Sequence, residues 1–358
     1  MTASLFDPIR LKSLEIPNRV VVSPMCQYSA VDGVMTDWHL AHLSQFVMSG
    51  AGLVFIEATG VEPAARITPG CVGLWNDEQA EAMARVIAFC RGVGHSKIAL
   101  QVAHAGRKAS ALLPWQGVGP LTEGAWETFA PSALPADEGW PAPTALDEAG
   151  LSRVLNAFID STRRAAALDI DVLELHCAHG YLMHSFLSPL SNRRSDAYGG
   201  SLENRMRFPL EVFRAIRDAW PEDRPLMARV SATDWVEGGW DLEGTVAFAQ
   251  ALKEAGADMI DVSSGGLSPA QKIVLGPGYQ VEFAAEIRRR TGLPVMAVGM
   301  ITDPQQADTI LRTGQADMAA LAREFLRDPH WTWRAARALG GRTASTPPQY
   351  LRAAQLPR

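Results

Sequence analysis

Two imidazoles and a phenol follow one another closely in Glu174-Leu175-His176-Cys177-Ala178-His179-Gly180-Tyr181. The run begins as an alternating strand, with Leu173 and Leu175 on one face and Glu174 and His176 on the other. Three hydrogen-bond donors then crowd one strand end, which suits gripping an oxygen atom and delivering a proton. His176, His179 and the nearby His184 could instead ligate a metal, but no carboxylate motif completes such a site, and none is expected.

Other polar groups close other strand-like runs. Ser23-Pro24-Met25-Cys26-Gln27-Tyr28 ends one, and Gln101-Val102-Ala103-His104 ends another. Arg229 shares its strand face with Met227 and so can point inward. Ser263-Ser264-Gly265-Gly266, Ala297-Val298-Gly299-Met300 and Ala322-Arg323 close the last three runs. Glycine lets backbone N–H groups approach a phosphate, and an arginine fork supplies further donors. No GxGxxG opens a strand–helix unit, so a separate Rossmann domain is not expected.

These groups need a frame that gathers strand ends. Eight β-rich runs are expected at residues 19–25, 52–59, 97–104, 171–176, 225–230, 258–263, 294–298 and 317–322. Helical periodicity is expected at 37–49, 77–92, 151–168, 202–220, 242–255, 280–290, 304–312 and 330–339. Gly50, Gly256, Gly292 and Gly314 stand where left-handed helix stops are expected. Eight strand–helix units in a row predict a (β/α)8 TIM barrel, whose active site lies at the C-terminal strand ends. Residues 5–18 are read as an N-terminal hairpin plugging the barrel floor. The Pro-, Gly- and Trp-rich residues 105–144 form a long loop after strand 3, a lid or binding arm.

Composition narrows the partners. The chain has 358 residues, 47% of them apolar, and a formal net charge of -6. No basic run tracks a nucleic acid, and no apolar stretch reaches the roughly 18 residues of a membrane span. No signal peptide is evident, and Cys26, Cys71, Cys90 and Cys177 are scattered, so a cytoplasmic protein with reduced thiols is expected.

The segments Pro24-Met25-Cys26-Gln27-Tyr28, QVAHAGRK at 101–108, His176 to Tyr181, SPLSNRRSDAYGGSLENR at 188–205 and AVGMIT at 297–302 together resemble the old yellow enzymes. The likeness is to the class that holds the xenobiotic reductases and thermophilic-like members, and it runs from Leu5 to Arg352. It implies one FMN-binding barrel domain over residues 1–358, with 346–358 a tail reaching a neighbouring subunit. It implies NADPH (or NADH) as electron donor and activated alkenes as substrates, reduced by ping-pong hydride transfer. The resemblance places Pro24, Met25, Cys26, Ala58, Gln101, Arg229, Gly266, Gly299 and Arg323 around FMN. Tyr28, His176, His179 and Arg352 would meet the substrate, and Tyr181 would supply the proton. It also implies a homodimer or homotetramer. A flavin-free barrel isomerase or lyase and a non-catalytic flavin sensor using Cys26 are the competing expectations.

Overall fold

The computed structural model describes residues 3–340 and 346–354. The N-terminal hairpin pairs β1 (Ile9–Leu11) with β2 (Leu14–Ile16). The barrel then opens with β3 (Val20–Val22), α1 (Asp37–Met48), β4 (Leu53–Gly60), α2 (Asp77–Val93) and β5 (Lys97–Ala103). The long loop follows and carries the short pair β6 (Phe129–Ala130) and β7 (Thr144–Ala145). The remaining strands are β8 (Val172–Cys177), β9 (Leu226–Ser231), β10 (Met259–Ser263), β11 (Val295–Val298) and β12 (Met318–Leu321). The expected barrel forms: β3, β4, β5 and β8 to β12 pair in parallel, and β12 closes on β3.

Helices α3 (Glu148–Ala167), α5 (Leu202–Ala219), α6 (Leu242–Glu254), α7 (Val281–Thr291), α8 (Pro304–Arg312) and α10 (Trp331–Leu339) occupy the expected segments, displaced by a residue or two at most ends. The start of α3 moves further, because Asp147 caps it by accepting from Gly150 N at 2.8 Å. Three short helices lie outside the expectation: α4 (Leu182–Leu187), α9 (Arg323–Arg327) and α11 (Leu351–Ala354). All four glycines named as stops have positive φ.

Two apolar layers hold the frame. Alternation along each strand sends one set of side chains outward to the helices, among them Leu173, Leu175, Ala228 and Val262. The other set, including Val21, Phe55, Val172, Met227, Met259, Met296 and Met318, fills the barrel interior. Leu11 and Ile16 of the hairpin close that interior from below. The first strand is shorter than expected: after Val22 the chain leaves the sheet, so Ser23 to Cys26 form a rim segment.

Candidate active site

Four adjacent strands carry the polar wall. Gln101 on β5 is in register with Glu174 on β8, His176 with Arg229 on β9, and Arg229 with Asp261 on β10. Gln101 Nε2 donates to Glu174 Oε1 at 2.8 Å, and Arg229 Nε lies 3.2 Å from Asp261 Oδ2. All of these side chains are buried. Burial, then the neighbouring Asp261, pushes the Glu174 carboxyl well above the usual carboxylate range. Asp261, beside the guanidinium, is raised by burial as well, with Arg229 opposing that shift. Arg229 is thus both an inward-pointing cation and an ion-pair partner.

His176 ends β8, and the chain then turns through His179 (φ +59°) and Gly180 (φ +75°) into Tyr181. This turn is pinned from several sides. His179 N donates to Ser231 Oγ at 3.0 Å, and Gly180 N donates to His184 Nδ1 at 2.9 Å. His184 Nε2 lies 3.0 Å from Asp234, whose other oxygen accepts from Ser188 Oγ and Trp240 N. His184 is thus a strut for the turn. Among the described residues no cluster of His, Cys, Asp and Glu forms a metal-holding group. Gly180 and Gly266 fit into each other's backbone: a Cβ on Gly180 would stand 2.5 Å from Gly266 O, and one on Gly266 would stand 2.7 Å from His179 Cα.

His176 and His179 meet edge to face with ring centres 5.1 Å apart, and the Tyr181 ring stands 4.9 Å from His176. Burial first, then Arg229, lowers both imidazoles well below their ordinary range, so they are neutral at pH 7. Burial pushes Tyr181 up, and its phenol keeps its proton. Lys108, which sequence reasoning left out of the catalytic group, places Nζ 5.3 Å from the Tyr181 ring centre. The same ammonium donates to His179 O and Gly266 O, both at 2.9 Å.

Opposite stands the Pro24–Tyr28 segment. A β-bulge between Ile56 and Ala58 singles out Glu57, whose carboxylate accepts from Gln27 N at 3.1 Å and lies 3.4 Å from His39 Nε2. Ala58 itself stays in register with Gln101. Tyr28 is held at φ +53° and meets Trp115 of the long loop edge to face at 6.1 Å. Trp126 instead packs against Arg66 and donates to Ala64 O. The neighbouring Cys71, then burial and Glu57, push the Cys26 thiol up, so it stays a thiol.

A cavity of about 300 Å³ continues from Arg229 and Ser263 to Tyr279, Gln280, Gly299 and Arg323. Gly299 has φ +129°, and a Cβ there would meet Gln280 Nε2 at 2.7 Å. Arg323 begins α9 and makes no salt bridge among the described residues. Gly266 lies apart from this cavity: its N–H is taken by Gln271 Oε1 at 2.7 Å, and its carbonyl by Lys108. It shapes the histidine turn rather than the phosphate end. Ser264, Tyr279 and Gln280 were missed from sequence, where only a Ser-Ser-Gly-Gly turn and an isolated Gly-Tyr-Gln pointed to them.

The residues fit a flavin mononucleotide. Among the described residues, Ser23 Oγ is buried at the rim without a hydrogen-bond partner, and the cavity ends in a glycine and in Arg323, which makes no salt bridge. A polar ring system on the rim with a phosphate in the cavity answers those unmet groups.

Fold and site together define an eight-stranded parallel barrel with a polar rim, a neutral phenol and a cavity at its C-terminal strand ends. The NADH:flavin oxidoreductase / NADH oxidase family matches residues 4–340, and the chain belongs to that family. It is an FMN-containing NAD(P)H oxidoreductase of the old yellow enzyme type. It is 42% identical over 354 residues to the NADPH dehydrogenase of Geobacillus thermodenitrificans, covering 98% of this chain and 99% of that one. The NADPH dehydrogenase of Bacillus subtilis is 43% identical over 341 residues, 95% of this chain and 96% of that one. Among solved structures, morphinone reductase superposes with a TM-score of 0.80 at 27% identity, covering 98% and 93% of the two chains. A morphinone reductase complex with tetrahydroNAD gives 0.78 at 28% identity, covering 97% and 93%.

Proposed function

We propose that this oxidoreductase reduces the C=C bond of alkenes conjugated to a carbonyl or nitro group. The observation that carries the proposal is the neutral His176–His179 pair with the protonated Tyr181 phenol beside it. FMN, when bound, accepts a hydride from NAD(P)H and supplies one to the alkene β-carbon. Pro24, Met25, Cys26, Ala58, Gln101, Arg229, Gly299 and Arg323 hold that group, with Gly266 acting through the histidine turn. Arg229 offsets negative charge gathered at the rim.

The imidazoles donate to the substrate oxygen and draw electron density from the alkene. Neutral donors do this without protonating the oxygen outright. Tyr28 offers a further hydrogen bond from the opposite side. Tyr181 then delivers its proton to the α-carbon, and the phenol is reprotonated from solvent. The Lys108 ammonium beside the ring eases that transfer by stabilising the phenolate. NAD(P)H and alkene visit the same mouth in turn, which gives ping-pong kinetics.

In the same proposal the tail engages a second copy of the chain. Tyr350 packs edge-on against Trp333, 5.9 Å between ring centres, and leaves Arg352 exposed on α11. Truncation before Thr346 then lowers both oligomer size and activity; unchanged values would remove this part. No described helix is long and apolar enough to cross a membrane, and a cytoplasmic site of action goes with that proposal.

The decisive experiment is anaerobic. The purified, FMN-loaded protein is bleached with NADPH and then mixed with 2-cyclohexenone. Bleaching followed by recovery of the flavin band supports alkene reduction. Bleaching with no recovery, across carbonyl and nitro alkenes, would sink it.

A further inference from the structure

The histidine pair contains an asymmetry that its two-donor role does not explain. His176 Nδ1 accepts from Ala178 N at 3.1 Å, so in the neutral ring the proton sits on Nε2. That Nε2 lies 3.3 Å from His179 Nδ1. Two N–H groups facing each other at that distance would repel, so in the free site His179 Nδ1 is bare and accepts. The His179 proton is then on Nε2, 2.7 Å from Ser263 Oγ. In this state the His179 nitrogen that faces His176 accepts rather than donates.

Beyond Ser263 the chain of bonds weakens. Gln280 Nε2 donates to Val298 O at 2.7 Å, which fixes its Oε1 as the acceptor. Ser264 Oγ fills that acceptor at 2.6 Å, whereas Ser263 Oγ reaches it only at 3.5 Å. The Ser263 hydroxyl is therefore held tightly on the His179 side and loosely on the other. A hydroxyl both donates and accepts, so rotation of one O–H reverses the bond to His179. With that bond reversed, His179 Nε2 gives up its proton to solvent and Nδ1 takes one from solvent, so the His179 proton stands on Nδ1, toward His176.

We propose that Ser263 is the positioning residue that sets whether His179 accepts or donates toward the site, and so fits the histidine pair to oxygens of either polarity. With an acceptor between the rings, such as a carbonyl or nitro oxygen, the Ser263 hydroxyl turns its proton to His179 Nε2 and both histidines donate. With a hydroxyl-bearing ligand, such as a phenol, His176 donates and His179 accepts. Ser263 touches neither substrate nor reacting carbon; it acts through His179. The proposal rests on the oxygen-binding role assigned to the pair above.

The test uses the FMN-loaded enzyme with ¹⁵N-labelled histidine. In the resting wild type, His179 Nδ1 gives a pyridine-like signal and Nε2 a pyrrole-like one. Cyclohexanone, a saturated ligand that cannot be reduced, moves the pyrrole-like signal to Nδ1, and phenol does not. In Ser263→Ala the cyclohexanone response is lost, and kcat/KM for 2-cyclohexenone falls about tenfold at equal FMN content. Ser263→Thr, which keeps the hydroxyl, restores both. A resting His179 protonated on Nδ1, or an undiminished response in Ser263→Ala, would overturn the assignment. Absent turnover in the wild type would instead count against alkene reduction, and the resting His179 signals would still decide the role of Ser263.

Discussion

The floor and the rim of the barrel are built from the same eight strands, yet they are chemical opposites. At the floor Val21, Phe55, Met227, Met259, Met296 and Met318 pack with the hairpin residues Leu11 and Ile16 in one apolar layer. Near the other end, the inward positions become Gln101, Glu174, His176, Arg229 and Asp261. On β9 the change takes one inward step, from Met227 to Arg229. Stability and chemistry are thus separated by depth along each strand. The rim can hold a buried Arg–Asp pair because an apolar floor and a helical shell surround it.

That separation can be tested from both sides. The largest effect is expected at the rim with Tyr181→Phe. Loss of the proton donor slows alkene reduction by about 10²- to 10⁴-fold. Flavin reduction by NADPH and thermal stability stay close to wild type. Stopped-flow measurement of the two half-reactions checks this, and equal slowing of both would place Tyr181 in cofactor binding instead.

Met259→Ala is the matching change at the floor. Truncating a fully buried side chain costs about 2–5 kcal/mol of stability in denaturant unfolding. Turnover per folded, FMN-loaded molecule is unchanged. A fall in turnover without loss of stability would show that floor and rim are coupled.

Gly299→Ala probes the phosphate end. The new methyl presses on Gln280 in a backbone conformation that L residues rarely adopt, a cost of about 1–3 kcal/mol. It appears as an FMN dissociation constant raised roughly tenfold or more, read by flavin fluorescence, while the apoprotein keeps its fold.

The smallest effect lies in the helical shell and depends on pH. His42 packs on Phe46, and burial, then His39, lowers its pKa from 6.5 to about 4. The unfolded chain binds this proton below about 6.5, and the folded chain only near 4. Stability therefore falls as pH drops across that interval. His42→Phe flattens this acid limb, measured as denaturation midpoint against pH, with rim kinetics unmoved. An unchanged slope would mean that other groups dominate it.

Much of this arrangement was legible in the amino-acid sequence. The eight strands announced themselves as short apolar runs, four of them preceded by a helix-stopping Gly, and the rim as polar residues at their ends. The inward face of Glu174 and His176 followed from alternation with Leu173 and Leu175. What escaped has physical reasons. Helices α4 and α9 are too short to show a period. The Asp147 cap that starts α3 early is one residue of ordinary appearance. Gly266 was assigned to a phosphate because glycine permits close approach, but the approaching group is the backbone of His179. Ser263 and Lys108 have partners distant in sequence, so neighbouring residues carry no trace of their contacts.

The meshing of Gly180 with Gly266 has a consequence for how such an enzyme diversifies. The histidine turn after β8 and the turn after β10 fill each other's only free space. A side chain added to either one displaces the other, so the two positions are epistatic and constitute a single heritable unit. Libraries that randomise one turn while keeping the other will return mostly inactive clones. Libraries that keep both glycines and vary the residues around them search the substrate mouth within what the fold allows.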